Sequence, residues 1–299
     1  MHQQRNSTAF LVACSGIATF AGMDVFMKEL SIALGAYNAL LWRTLIALAI
    51  MLPLFLSQRR AWPQGAALRI HLRRGLVTAV MAFLFFWGLA RVPLAEAVAL
   101  SFIAPLIALY LAAAILKETI TRQAVLASFI GLAGALIVIG GKLSGSYGED
   151  VVAGIAAILL SAVLYAYNLI LQRQQALLAH PVEIALFQNG TLVTLYLCLA
   201  PIYAVAPQPG AWPGLAAAAV LGISSILLLS WAYARAEAKV LLPVEYTAFI
   251  WAALFGWLFF AEALTLSTVA GTVLIVSGCL LAARQYPRNA AEHGAADQA

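Results

Sequence analysis

Apolar positions along this chain come in long unbroken runs, without the strict alternation of a half-buried strand. Ten runs can be drawn, at about 8–28, 36–56, 74–92, 94–116, 121–141, 151–173, 182–204, 211–234, 238–260 and 264–284. Runs of about 20 residues, at 1.5 Å per residue, match the roughly 30 Å hydrocarbon core of a bilayer. Lipid offers the backbone no hydrogen-bond partner, so a spanning segment must be a helix or part of a closed barrel, and continuous apolarity selects the helix. The breaks are short and carry turn formers, as in Gly140-Gly141-Lys142-Leu143-Ser144-Gly145-Ser146 and Ala206-Pro207-Gln208-Pro209-Gly210. The pattern predicts an all-α integral membrane protein of ten transmembrane helices, with nothing left over for a soluble domain.

Composition strengthens that picture: 64% of the 299 residues are hydrophobic and only 10% are charged, more apolar surface than a soluble core uses. Arg5 precedes the first run, but the run is too long for a signal-peptide core and lacks a small-residue cleavage site, so it is read as a retained span. Cys14, Cys198 and Cys279 all fall inside apolar runs and imply no disulfide framework.

Charge sets orientation, because cytoplasmic loops hold the excess of Lys and Arg. With the N-terminus inside, thirteen of the 17 basic residues are cytoplasmic: Arg5, Arg59, Arg60, Arg69, Arg73, Arg74, Lys117, Arg122, Arg173, Arg235, Lys239, Arg284 and Arg288. Lys28, Arg91 and Lys142 fall outside, and Arg43 lies within a span. Both termini are then cytoplasmic, and the net charge of +5 is a topology signal that calls for no nucleic-acid partner.

The chain also repeats itself. Trp87-Gly88-Leu89-Ala90-Arg91 and Trp231-Ala232-Tyr233-Ala234-Arg235 both spell W-x-x-A-R, at an offset of 144. At that offset Glu118 meets Glu262, Gly134 meets Gly278, and Asp24 meets its isostere Asn168. Ordered matches of Trp, Arg and Glu at corresponding helix ends predict a duplication, with repeats at 1–141 and 150–284 and a cytoplasmic tail at 285–299. Five spans per repeat is an odd number, so the second repeat enters the membrane inverted, an arrangement suited to alternating access around a midplane site.

With these features the sequence resembles the drug/metabolite transporter superfamily, in its EamA-type ten-helix exporters. The resemblance covers essentially the whole chain. It rests on the five-plus-five pattern and on an end-of-half signature: Pro105-Leu106, then Lys117-Glu118, then Gly131 and Gly134, echoed by Ala261-Glu262, then Gly271 and Gly278. Phe249 stands where the first copy has Pro105, a departure that Pro243 offsets nearby. The resemblance implies a bacterial inner-membrane secondary carrier that exports amino acids or other small metabolites through a central cavity, with the aromatic amino acid exporters as the branch it points to. Exchange or uptake of a nucleotide-like or other anionic metabolite is the alternative. The implied partners are a small-molecule substrate and the lipid bilayer, in a monomer or weak homodimer.

The residues are consistent with a carrier that performs no reaction and holds no cofactor. His2, His71, His180 and His293 are read in loops or tails, which leaves no intramembrane metal set or general base. Gly141-Lys142 lacks the remaining residues of a phosphate-binding loop.

Candidate site residues are polar, charged or aromatic groups placed within spans, where they are costly unless they face a cavity or a partner. Arg43 either snorkels to the headgroups or binds a substrate carboxylate, with the adjacent Trp42 on its planar face. Glu245 lies two turns into the ninth span without an i±4 basic partner. Tyr165, Asn168, Gln188, Asn189 and Tyr246 suit an amphipathic cavity wall, and Phe83 and Trp87 offer an aromatic face. Four acidic positions have simpler readings: Asp24 pairs with Lys28 four residues on, Glu96 caps the fourth span, and Glu118 and Glu262 are interfacial anchors.

Overall fold

The computed structural model describes residues 2–59, 62–104, 107, 108, 110, 111, 122–143, 149–235 and 247–283. Among them all regular structure is helical: α1 His2–Leu34, α2 Ala36–Ser57, α3 Gly65–Leu89, α4 Leu94–Ser101, α5 Arg122–Leu143, α6 Glu149–Leu178, α7 Pro181–Tyr203, α8 Trp212–Tyr233, α9 Thr247–Phe260 and α10 Leu266–Ala283. Six stretches of the described residues are long and apolar enough to cross a membrane: Leu11–Leu34, Ala36–Ser57, Gly65–Leu89, Glu149–Leu178, Pro181–Tyr203 and Pro209–Tyr233. Phe129–Val138, Thr247–Phe260 and Leu266–Gly278 are shorter apolar helices.

Two of the boundaries that differ from the hydropathy reading do so for electrostatic reasons. The first helix does not stop at Lys28 but runs to Leu34, because Lys28 is buried and paired within the bundle. It turns at Gly35, whose φ of 78° is a left-handed conformation that a glycine adopts without strain. The third helix begins at Gly65 and not near residue 74, so Arg69, His71, Arg73 and Arg74 are helical. Charge density suggested a loop there, yet no helix breaker interrupts the segment, and Arg69 and Arg73 keep their heads exposed while His71 and Arg74 turn inward. His71 is a fully buried helix residue, and Arg74 is not a loop charge.

Each long helix is divided into an inner and a lipid-type face. On α3 the buried side carries Ile70, His71, Arg74, Thr78, Ala82 and Phe86, while Leu72, Leu76 and Val80 form an exposed row at i, i+4, i+8. Exposed large apolar side chains in such rows belong against acyl chains, since in water they would be an aggregation hazard.

The helices pair mainly across the two halves of the chain. The most extensive contacts are α5 with α10, α1 with α8, α3 with α6 and α2 with α7. Exchanging α1–α5 for α6–α10 maps these pairings onto themselves, and also maps α3 with α7 onto α2 with α8. The α5–α10 seam is a glycine contact. A Cβ on Gly134 would meet the Gly271 carbonyl oxygen at 2.5 Å, and one on Gly271 would meet the Gly134 oxygen at 2.5 Å. This is the close approach expected of small residues where lipid removes the hydrophobic drive.

The repeated W-x-x-A-R has a local cause. Arg91 lies 3.6 Å over the Trp87 ring and its Nη1 donates to the Trp87 carbonyl at 2.7 Å. Arg235 lies 4.1 Å over Trp231 and donates to that carbonyl at 3.2 Å. In both halves the guanidinium staples the C-terminus of its helix, satisfying a carbonyl the helix leaves open and stacking on an aromatic face.

Candidate functional site

Between the halves lies a cavity of about 220 Å³, lined from α1, α2, α3, α6, α7 and α8, with Val98 and Ser101 of α4 and Ala248 of α9. Much of its wall is apolar: Phe20, Met81, Phe85, Phe86, Leu169 and Leu192. Against this stand two polar clusters.

The first joins Asp24 of α1 to Arg43 of α2. Asp24 is 3% and Arg43 8% exposed, and both line the cavity. The Arg43 Nη1 lies 3.1 Å from the Met23 sulfur, a weak acceptor, while its Nε and the Asp24 Oδ1 have no hydrogen-bond partner among the described residues. The two charges attract each other without an ion-pair contact. Arg43 therefore points into the bundle and does not snorkel. Its guanidinium fits because residue 222 is glycine: a Cβ there would lie 2.8 Å from Nη1. Gln188 Oε1 and Ser225 Oγ, both on the cavity lining, are likewise buried without a partner among the described residues. Polar atoms left unsatisfied in a low-dielectric wall are costly, and they are found where a ligand or water completes them.

The second cluster is knit together by hydrogen bonds between its own side chains. Arg74 of α3 donates from Nε to Asn168 Oδ1 at 3.1 Å, from Nη2 to Gln172 Oε1 at 3.0 Å, and from Nη1 to Gln175 Oε1. Thr78 donates to the same Asn168 oxygen at 3.2 Å. Behind it the Gln175 amide nitrogen meets His71 Nδ1 at 2.6 Å, and His71 Nε2 meets Glu183 at 2.8 Å with its ring stacked on Phe187. Since arginine only donates, Gln175 must present its oxygen to Arg74 and its N–H to His71. That leaves His71 Nδ1 the acceptor and Nε2–H the donor to Glu183. Arg74, Thr78, Asn168 and Gln172 line the cavity.

Of the residues singled out from sequence, Arg43, Tyr165, Asn168 and Gln188 are brought to this cavity. Trp42 is not: its Nε1 donates to the Val205 carbonyl at 2.9 Å and its ring meets Trp212 edge-on, so it does not stack on Arg43. Phe83 packs against the core, Trp87 carries Arg91, and Asn189 donates to the Ala185 carbonyl at 2.9 Å within its own helix. Glu245 and Tyr246 lie outside the described residues, as do Pro105, Leu106, Lys117, Glu118 and Pro243. Lys28 does not pair with Asp24. Its Nζ donates to Glu262 and, at 2.9 Å, to the Val92 carbonyl, and it sits 5.0 Å from the Phe260 ring centroid. Glu262 is thus an interior partner and not an interfacial anchor. Its second oxygen accepts from the Leu94 N–H at 2.8 Å, the capping role expected of Glu96. Glu96 itself is buried in the first turn of α4 and accepts from Thr268 at 3.3 Å. The residues sequence reasoning missed, Arg74, Thr78 and Gln172, share one helical face with Ala82 and Phe86 or with Asn168, a phase that the local charge density conceals.

A profile of the EamA-like transporter family matches residues 7–140 and again 152–284. The chain belongs to the EamA-like transporter family. Within the drug/metabolite transporter superfamily it is similar, at 28% identity over 92% of this chain and 95% of the relative, to the pseudopaline exporter CntI of Pseudomonas aeruginosa. It is 25% identical to a riboflavin transporter of Brucella anthropi over 92% of this chain and 97% of that one. An S-adenosylmethionine uptake transporter of Rickettsia felis is 24% identical over 86% of each chain. A solved crystal structure shares the fold at a TM-score of 0.65 and 20% identity, covering 92% of this chain and 98% of that one. This EamA protein is accordingly a multi-pass membrane transporter of a bacterial family and not an enzyme.

Proposed function

We propose that this EamA protein is a secondary carrier of small amino-acid-like metabolites in the bacterial inner membrane, built of ten spans in two inverted repeats with both termini cytoplasmic. The observation that carries the reading is the pair Asp24 and Arg43: opposite charges buried in one cavity, each with a polar atom that no group among the described residues completes. A carboxylate on the Arg43 fork and an ammonium on Asp24 would complete both, and the aromatic and amide wall suits the body of such a molecule. The cavity lies between the halves, where rocking one against the other exposes a fixed site to either side. The two matches to one family profile, at 7–140 and 152–284, support the repeats.

Counterflow tests the reading. Vesicles holding the purified protein and loaded with unlabelled phenylalanine should accumulate labelled phenylalanine without ATP, since a carrier returns faster when loaded. Flux that is linear and unsaturable, or that requires ATP, would overturn it. Direction is a second matter: the relative named as an exporter favours outward transport, those named for uptake favour an inward or exchange mode, and net efflux of labelled substrate from preloaded cells decides between them.

A further inference from the structure

The cavity holds more positive charge than its first cluster uses. Three charged side chains line it: Asp24, Arg43 and Arg74. Asp24 offsets Arg43, which leaves the Arg74 guanidinium in excess. Among the described residues its hydrogen bonds go to neutral amide oxygens of α6, and no carboxylate pairs with it. A buried arginine that served only to tie α3 to α6 would carry an uncompensated desolvation cost that apolar packing avoids. Three amide oxygens instead hold the fork in one orientation while consuming three of its five N–H groups, so one remains on each Nη. A planar fork with two donors left and no counter-charge, on a cavity wall, suits a carboxylate.

Resting on the proposed amino-acid reading, we infer that Arg74 is a second anion subsite and that the substrate is an amino acid carrying a further carboxylate at its far end. Helix geometry sets the span. Counting along α2 and α3 from their shared loop and from their opposite ends places the two arginines about 10 Å apart along the bundle. An α-amino acid seated on Asp24 and Arg43 needs a chain or ring of that reach to meet Arg74. Gln172, half-buried at the cavity edge, is the arm such a carboxylate would displace.

The probes are 4-carboxyphenylalanine, whose second carboxylate stands across a benzene ring from the first, and 4-carbamoylphenylalanine, which keeps the shape and loses the charge. Calorimetric binding to the purified protein at neutral pH should favour the acid about tenfold, the scale of one charge-assisted pair. Arg74→Gln should bring the acid-to-amide ratio to about one. Arg43→Gln should weaken both ligands and keep the ratio. Gln172→Glu places a carboxylate on Arg74 in the ligand's stead and should invert the preference; with the guanidinium retained, it also guards against a misfolded Arg74→Gln. Equal binding of acid and amide to the unaltered protein, or a ratio that survives Arg74→Gln, overturns the subsite and leaves the amino-acid reading standing. Binding of neither ligand overturns both.

Discussion

Lys28 and Glu262 join parts of the chain 234 residues apart, and the value of that contact can be worked out from its surroundings. The lysine and the carboxylate are 6% and 17% exposed, so neither is dissolved in water or lipid headgroups. Lys28→Met keeps the length and apolar stem but leaves Glu262 holding only the Leu94 N–H, and it frees the Val92 carbonyl. Breaking a fully buried pair by removing one partner costs about 3–5 kcal/mol, and the residual exposure of Glu262 places this one at the lower end, about 2–3 kcal/mol. Glu262→Gln keeps an oxygen for Leu94 but strands the ammonium, at a similar cost. The double variant strands no charge and should lose only about 1 kcal/mol, because paired removal is far milder than single removal. The assay is thermal unfolding of the three variants in one detergent, read as a double-mutant cycle. The singles together come to about 4–6 kcal/mol against about 1 for the double, so a coupling of about 3–5 kcal/mol is expected. If the double variant falls by the sum of the singles, the two groups do not act as a pair, and the account of α1, α4 and α9 tied at one end of the bundle is wrong.

Three further outcomes follow from the packing and charge pattern. Gly134→Ala drives a Cβ against the Gly271 carbonyl and should destabilise by about 1–3 kcal/mol in thermal unfolding, whereas Gly140→Ala, with nothing within 4 Å, should be neutral or slightly stabilising. Gln175→Leu removes the link that satisfies both Arg74 and His71 and should cost about 2–4 kcal/mol by the same measurement; an unchanged midpoint would mean the relay is not formed. An impermeant thiol reagent on intact cells should label Ser146→Cys and spare Ser57→Cys, and the reverse would invert the proposed orientation.

Hydropathy reached the long helices because lipid imposes apolarity on nearly every outward position. The runs 36–56, 182–204 and 211–234 thus fall within a residue or two of α2, α7 and α8. It failed at α3, where Arg69 and Arg73 stay exposed and made the whole segment look like loop, although His71, Arg74, Thr78 and Ala82 already share one helical face. At the site, Arg43, Asn168 and Gln188 were legible because a polar group in a span needs an interior reason. Trp42, Phe83 and Trp87 misled for the opposite cause: an aromatic ring is equally at home in a belt, a core or a cavity, and only the Val205 carbonyl, the core and Arg91 decide among them. The Lys28 pairing was hidden by sequence distance, since Asp24 at i−4 offers a local partner and Glu262 reveals itself only in three dimensions.

The two halves diverge at the positions that 144 residues separate, and that divergence yields a last prediction. Asn168 is answered from α3 by Arg74 and Thr78. Its counterpart Asp24 packs towards α8, where the corresponding residues are Ala218 and Gly222, neither of which offers a donor side chain. The space above Gly222 is taken instead by Arg43 from α2, and the Asp24 oxygen stays open. One half thus has a polar cluster tied by its own hydrogen bonds and the other an Asp24 oxygen and an Arg43 Nε without partners among the described residues, so the amino-acid end of a substrate gains more at the second. Gly222→Ala should separate this role from mere packing. The atoms its Cβ would meet are the Arg43 Nη1 at 2.8 Å and the Met23 sulfur at 3.0 Å, both far ends of flexible side chains. Those ends can yield, so thermal stability should change by less than about 1 kcal/mol, while the displaced fork should raise the half-saturating phenylalanine concentration in counterflow severalfold. A loss of stability equal to that of Gly134→Ala, with counterflow unaltered, would make Gly222 a helix-packing glycine and remove Arg43 from the site.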